Sequence, residues 1–265
     1  MGSTLFWLIV VAAVGFVLVV FFRLGLEAEK HEQSFVRREG LLVNHSWDEW
    51  PPEGMPCESE SWPRFRAARD AARSGDDTTA KRILREIVEM PEPHSIDSAY
   101  AWRFYRELGG TVPPEVANDV LGVVVENMIG ERRLDIVAAY ADQSALYHNH
   151  CGAGVIVEYD HELPELEGPL SALLEATRVL PQQTKPSETF PEPPPTESIR
   201  LTAITPGGLV RGEPTEGDIE NDPVTGPIVR AAVDLMVELM KKPRSYEWES
   251  LRGRNVAPRG AEASG

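Results

Sequence analysis

Residues 4–22, TLFWLIVVAAVGFVLVVFF, run for nineteen positions without a charged side chain. A helix of that length rises about 28 Å, close to the roughly 30 Å hydrocarbon core of a bilayer. The stretch predicts a single membrane-spanning helix within residues 1–22. A cleaved leader is the alternative, but it needs a basic start, a shorter apolar run and a small-residue cleavage site. Here Met1-Gly2-Ser3 precedes the run and Arg23-Leu24-Gly25-Leu26-Glu27 follows it. A buried core helix seldom stays apolar on every face for so long.

The flanks suggest an orientation. Only the α-amino group precedes the span, whereas Arg23, Lys30, Arg37 and Arg38 follow it, and basic residues beside a span stay on the cytoplasmic side. Residues 23–265 are therefore expected in the cytoplasm, at a cell inner membrane, with a periplasmic body as the alternative. The formal charge of −16 lacks the basic footprint that phosphates require. Nucleic acid is thus not an expected partner, and proteins of a membrane complex are. The two cysteines, Cys57 and Cys151, are too few for a disulfide scaffold, and their pairing stays open.

Along the chain, residues 23–63 read as a stalk followed by a Trp/Pro-rich linker. Its part LLVNHSWDEWPPEGMPCESESWP is barred by its prolines from continuous helix, and its tryptophans suit either a segment laid on a protein surface or a disordered linker. Residues 64–110 read as a helical hairpin segment of tetratricopeptide type. Within it Ala80, Ile83, Leu84, Ile87 and Val88 recur with helical period, and Pro91 and Pro93 end that helix. A third helix carries Tyr100, Trp102, Phe104 and Tyr105 as packing aromatics.

From Pro113-Pro114 onward the period changes to two. Strands are expected over residues 120–126, 134–141, 145–150 (continued or restarted over 155–159), 199–205 and 209–212, with Leu134, Ile136, Ala138 and Tyr140 on one face. Gly152-Ala153-Gly154 suggests a bulge or a bend. Helices are expected over 164–180 and before Pro243, the second presenting Ile228, Ala231, Ala232, Leu235 and Leu239 to a core. Residues 181–198, PQQTKPSETFPEPPPTES, form a proline-rich loop expected to be extended and mobile. Residues 115–242 thus predict an α+β layer: an antiparallel five-stranded sheet with two helices, profilin-like or roadblock-like. Residues 243–265 read as a disordered tail.

The runs LDIVAAYADQSALYHNHCGAGVIVEY, ITPGGLVRGEP and GPIVRAAVDLMVELM, with the pair Ala101-Trp102 upstream, resemble a group of uncharacterised bacterial proteins of unknown function. Their pattern reads AAYADGxARYxNxSG and LTPSGL. The resemblance covers residues 65–242 and implies the two-part architecture without an activity. Gln143 stands where that pattern has the turn glycine, and Cys151 where it has serine.

Chemistry is sparsely marked. On an extended strand His148 and His150 would share a face, and with Cys151 they form the cluster that favours an alternative reading, a metal-dependent or ligand-binding enzyme or sensor. Two histidines at that spacing supply at most two ligands, so no metal-binding, catalytic or cofactor-binding residue is assigned. The loop 218–222 lacks the glycine and terminal glutamate of a calcium-binding loop. No phosphate-binding glycine loop or nucleophile elbow occurs. The expected function is a non-catalytic, single-pass membrane-anchored interaction protein, a scaffold or accessory subunit.

Overall fold

The computed structural model describes residues 38–52, 59–151, 154–157, 163–214, 219 and 221–242. The expected span at 4–22, the stalk up to residue 37, Cys57 and the tail 243–265 lie outside the described residues. So do Asp218 and Glu220 of the loop 218–222. Among the described residues, no helix is long and apolar enough to cross a membrane.

After a helical turn at residues 38–41 come three helices, α1 (Trp62–Arg73), α2 (Asp77–Val88) and α3 (Ser95–Glu107). Gly75, at φ 83°, lets the chain reverse between the first two. The Asp76 carboxylate accepts from the Thr79 N–H at 3.0 Å, capping α2. Ala80, Leu84 and Ile87 then recur one turn apart and are buried. At the start of α3, Ser95 N–H donates to Asp142 at 2.8 Å and Asp142 N–H donates back to Ser95 Oγ at 2.9 Å. This reciprocal pair ties the helix to a turn of the sheet.

The strands are β1 (Gly122–Gly130), β2 (Arg133–Tyr140), β3 (Ala145–His148), β4 (Gly154–Val157), β5 (Ser198–Thr205) and β6 (Gly208–Gly212). They form one six-stranded sheet in the order β4-β3-β2-β1-β5-β6, antiparallel throughout. The expected five strands are corrected to six. The chain does not bend onward after β3; it reverses, so that Tyr147 pairs with Val155 and Ala145 with Val157. Between β2 and β3, Gln143 has φ 69°, the left-handed geometry that favours glycine. That is the position at which the resembling bacterial pattern carries glycine.

Three further helices are α4 (Pro164–Thr177), the short α5 (Leu180–Gln183) and α6 (Thr225–Met240). The Asp222 carboxylate accepts from the N–H groups of Val224 and Thr225 at 3.0 and 2.8 Å, which starts α6. Alternation along the strands divides the core in two. Val124, Met128, Leu134, Ile136, Ala138, Tyr140 and Leu146 join α1, α3 and residues 41–43 in one buried cluster. Val123, Val125, Val137, Ala139, Ala145 and Tyr147 join α4 and α6 in the other. An antiparallel sheet commonly leaves one face to water; this one is covered on both.

The first described residues belong to that core. Leu42 is 1% exposed, and Tyr140 Oη donates to the Leu41 carbonyl at 3.0 Å. Trp47 stacks on Phe104 with ring centroids 4.1 Å apart, and Trp50 on Tyr100 at 3.9 Å. Of the two sequence readings of the linker, its described part follows the packed one.

Candidate functional site

His148, His150 and Cys151 are adjacent in sequence but point to different places. His148 is the last residue of β3, fully buried, and opposite Ile136 and Gly154 in the register. Alternation sets it with Leu146 on the face covered by α1–α3. The strand ends there, so His150 does not share that face. Its backbone N–H and its Nδ1 both lie 2.8 Å from Asp135 Oδ1, and Asp135 alternates with Val137 onto the opposite face. Carboxylate oxygens are acceptors, so this contact places the imidazole proton on Nδ1. Cys151 is exposed and free, with its backbone N–H donating to Asn149 Oδ1 at 3.0 Å. Among the described residues, no group of three His, Cys, Asp or Glu side chains is placed to hold a metal ion.

Tyr147, beside Val137 in the register, brings its Oη to 3.5 Å from Asp135 Oδ2. Burial, then the Asp135 charge and hydrogen bond, then Cys151, push the phenol up to about 12. It therefore acts as a fixed donor near neutrality and not as a base. Asp135 and Tyr147 form the polar end of a groove of about 100 Å³ between the sheet and α6. Its walls are Val125, Val137 and Ile199 from the strands and Val229, Val233 and Met236 from the helix. Cofactor and small-ligand pockets hold about 300–1,000 Å³. This groove takes one or two side chains. A second recess, of about 30 Å³ beside Arg103 and Arg106, has room for little more than water.

The helix wall continues into solvent. Val233, Val237 and Met240 are 47%, 40% and 56% exposed, and with Met236 they recur at i, i+3, i+4 and i+7. Helix α6 thus has two apolar stripes: Ile228, Leu235 and Leu239, all fully buried, and this outer one. Ile129, at the register irregularity near the end of β1, is 45% exposed. The outer stripe was readable as a second helical period in GPIVRAAVDLMVELM, masked by the stronger core period beside it.

A third cluster joins distant segments. Arg38 is 2% and Glu126 0% exposed, and Arg38 Nε donates to the Glu126 carboxylate. Arg38 Nη2 donates to the Pro191 carbonyl at 2.7 Å and the Glu192 carbonyl at 3.1 Å, with its guanidinium 4.7 Å from the Phe190 ring centroid. Arg200, opposite Glu126 in the register, also donates to the Glu192 carbonyl and pairs with Glu213 at 2.8 Å. Burial raises the Glu126 carboxyl above its ordinary range although Arg38 and Arg200 pull it down. The proline-rich loop is therefore contacted at its middle, with Pro191 and Pro194 buried. A lone Glu inside VVVENMI was the sequence signal for this cluster. No protein-family model, curated protein or solved structure matches this chain.

Proposed function

We propose that the chain is a non-catalytic, single-pass membrane-anchored interaction protein, a scaffold or accessory subunit of a bacterial membrane complex. The outer stripe of α6 beside the side-chain-sized groove carries this reading. Exposed apolar patches rimmed by polar groups mark protein contacts. Four half-exposed side chains offer a few hundred Å² at most, short of the ~800 Å² per partner of a standard interface. The patch accordingly fits one short segment of a partner subunit, seating an apolar side chain in the groove.

Anchorage through residues 4–22 is supported by their composition and by the short link that follows. Fifteen residues separate Phe22 from the buried Arg38, and fully extended they reach about 50 Å. A folded body on such a link stays beside the membrane. With Arg38 drawn into the protein, Arg23, Lys30 and Arg37 are the flanking charges that favour a cytoplasmic body at the inner membrane. In finer detail, we read α1 and α2 as a tetratricopeptide-type hairpin and the sheet with α4 and α6 as a profilin-like or roadblock-like layer.

The test is site-specific photo-crosslinking in the native membrane, with the probe at Val237 and, as control, at the exposed Glu86 on α2. A discrete crosslinked subunit at 237, absent at 86 and lost on Val233→Glu, is expected. Equal labelling at both positions, or a chain that leaves the membrane in mild detergent as a lone monomer, overturns the proposal.

A further inference from the structure

We infer that Arg38 is a latch through which the N-terminal segment keeps the proline-rich stretch 191–195 docked and masked. One guanidinium makes three kinds of contact. It donates to the Glu126 carboxylate of β1, to the carbonyls of Pro191 and Glu192, and lies over Phe190. Residues 191–195, Pro-Glu-Pro-Pro-Pro, have one backbone N–H among them, so their docking depends on carbonyls accepting from outside. Arg38 supplies two of those bonds and shares the second carbonyl with Arg200.

The start of the loop is held separately. Arg106 of α3 grips Glu188 with two nitrogens, at 2.5 and 2.9 Å, and Ser187 bridges to Leu209. Among the described residues, the middle is otherwise held by Arg200 and by Phe190 packing on the core. Withdrawing Arg38 also strands Glu126, whose Oε2 already has no hydrogen-bond partner, and an unpaired buried carboxylate is costly. Displacement of the N-terminal segment and release of the stretch are thereby one event. Released, 191–195 is an extended ligand of the kind that aromatic-lined grooves of proline-recognising modules accept. Masked against Arg38, it is not available to them.

Hydrogen exchange read by mass spectrometry on the full chain in detergent tests this. Arg38→Ala should speed exchange at least tenfold at Glu197, the hydrogen-bonded amide nearest the loop centre, whose N–H donates to the Met128 carbonyl, and leave Ser187, α4 and α6 at wild-type rates. Because a stranded Glu126 can unfold that variant, Arg38→Ala with Glu126→Gln is measured beside it. In the double variant Glu197 should still exchange fast while the rest is protected. Coupling is reciprocal, so Phe190→Ala should speed exchange at Leu42 and Val43. Glu197 at the wild-type rate in the double variant shows that Arg38 merely neutralises Glu126 and overturns the latch. Uniform acceleration through all peptides overturns it as well.

Discussion

Glu126 is where single-residue chemistry is most exposed to test. Its folded pKa is raised above the unfolded value, first by burial, with Arg38 and Arg200 opposing. The folded state therefore binds this proton more tightly. The group's contribution to stability is complete below the unfolded pKa and is lost as pH rises through the folded one. Denaturant melts of the wild type and Glu126→Gln from pH 4 to 8 should show the wild type losing ground with rising pH. A wild type that gains ground would show that the Arg38 attraction outweighs desolvation. Tyr140 gives a second test. It is 3% exposed and donates to the Leu41 carbonyl, so Tyr140→Phe leaves a buried acceptor unmade, at about 1–3 kcal/mol in a urea titration.

Helix α6 carries opposite expectations on its two faces. Leu235 is fully buried, and Leu235→Ala should cost about 2–5 kcal/mol by the same titration. Val233→Ser with Met240→Ser on the outer stripe should move stability by no more than about 0.5 kcal/mol per site while abolishing the crosslink at 237. At this scale the sequence was largely legible, because period decides element type. The 3.6-residue pattern of Ala80, Leu84 and Ile87 and the two-residue pattern of Leu134, Ile136 and Ala138 each matched the element formed. Illegible was whatever depended on a distant partner. Gly152-Ala153-Gly154 suggests a bulge or a bend, whereas the antiparallel pairing of β4 with β3 depends on the edge that β3 offers. Trp47 and Trp50 suited a packed or an unpacked segment until Phe104 and Tyr100, fifty or more residues on, supplied the stacking faces. Arg38 and Glu126 are 88 positions apart, and no local pattern joins them. For the site, the His148–His150–Cys151 cluster looked concentrated because they are neighbours in sequence. The end of β3 sends them apart.

At the scale of the whole molecule, residues 38–52 are a working part of the core, and residues 4–22 are the proposed anchor. A chain lacking residues 1–22 should keep the wild-type urea midpoint, read by circular dichroism. One lacking residues 1–50 removes Leu41, Leu42, Val43, Trp47 and Trp50 from the cluster beneath the sheet and should lose its cooperative transition. Equal midpoints for both would show that the N-terminal segment rests on the body without supporting it.

The placement of the tryptophans makes the protein its own optical probe. Trp47, Trp50, Trp62 and Trp102, four of six, all lie in the layer of α1–α3 and the N-terminal segment, whereas the described aromatic of the opposite cluster is Tyr147. Trp7 and Trp248 lie outside the described residues. Emission from the four reports the loosening of one face, and backbone ellipticity reports the sheet and helices together. Were the N-terminal layer to lift away first, the fluorescence curve would precede the dichroism curve. Coincident curves would make the two faces a single cooperative unit.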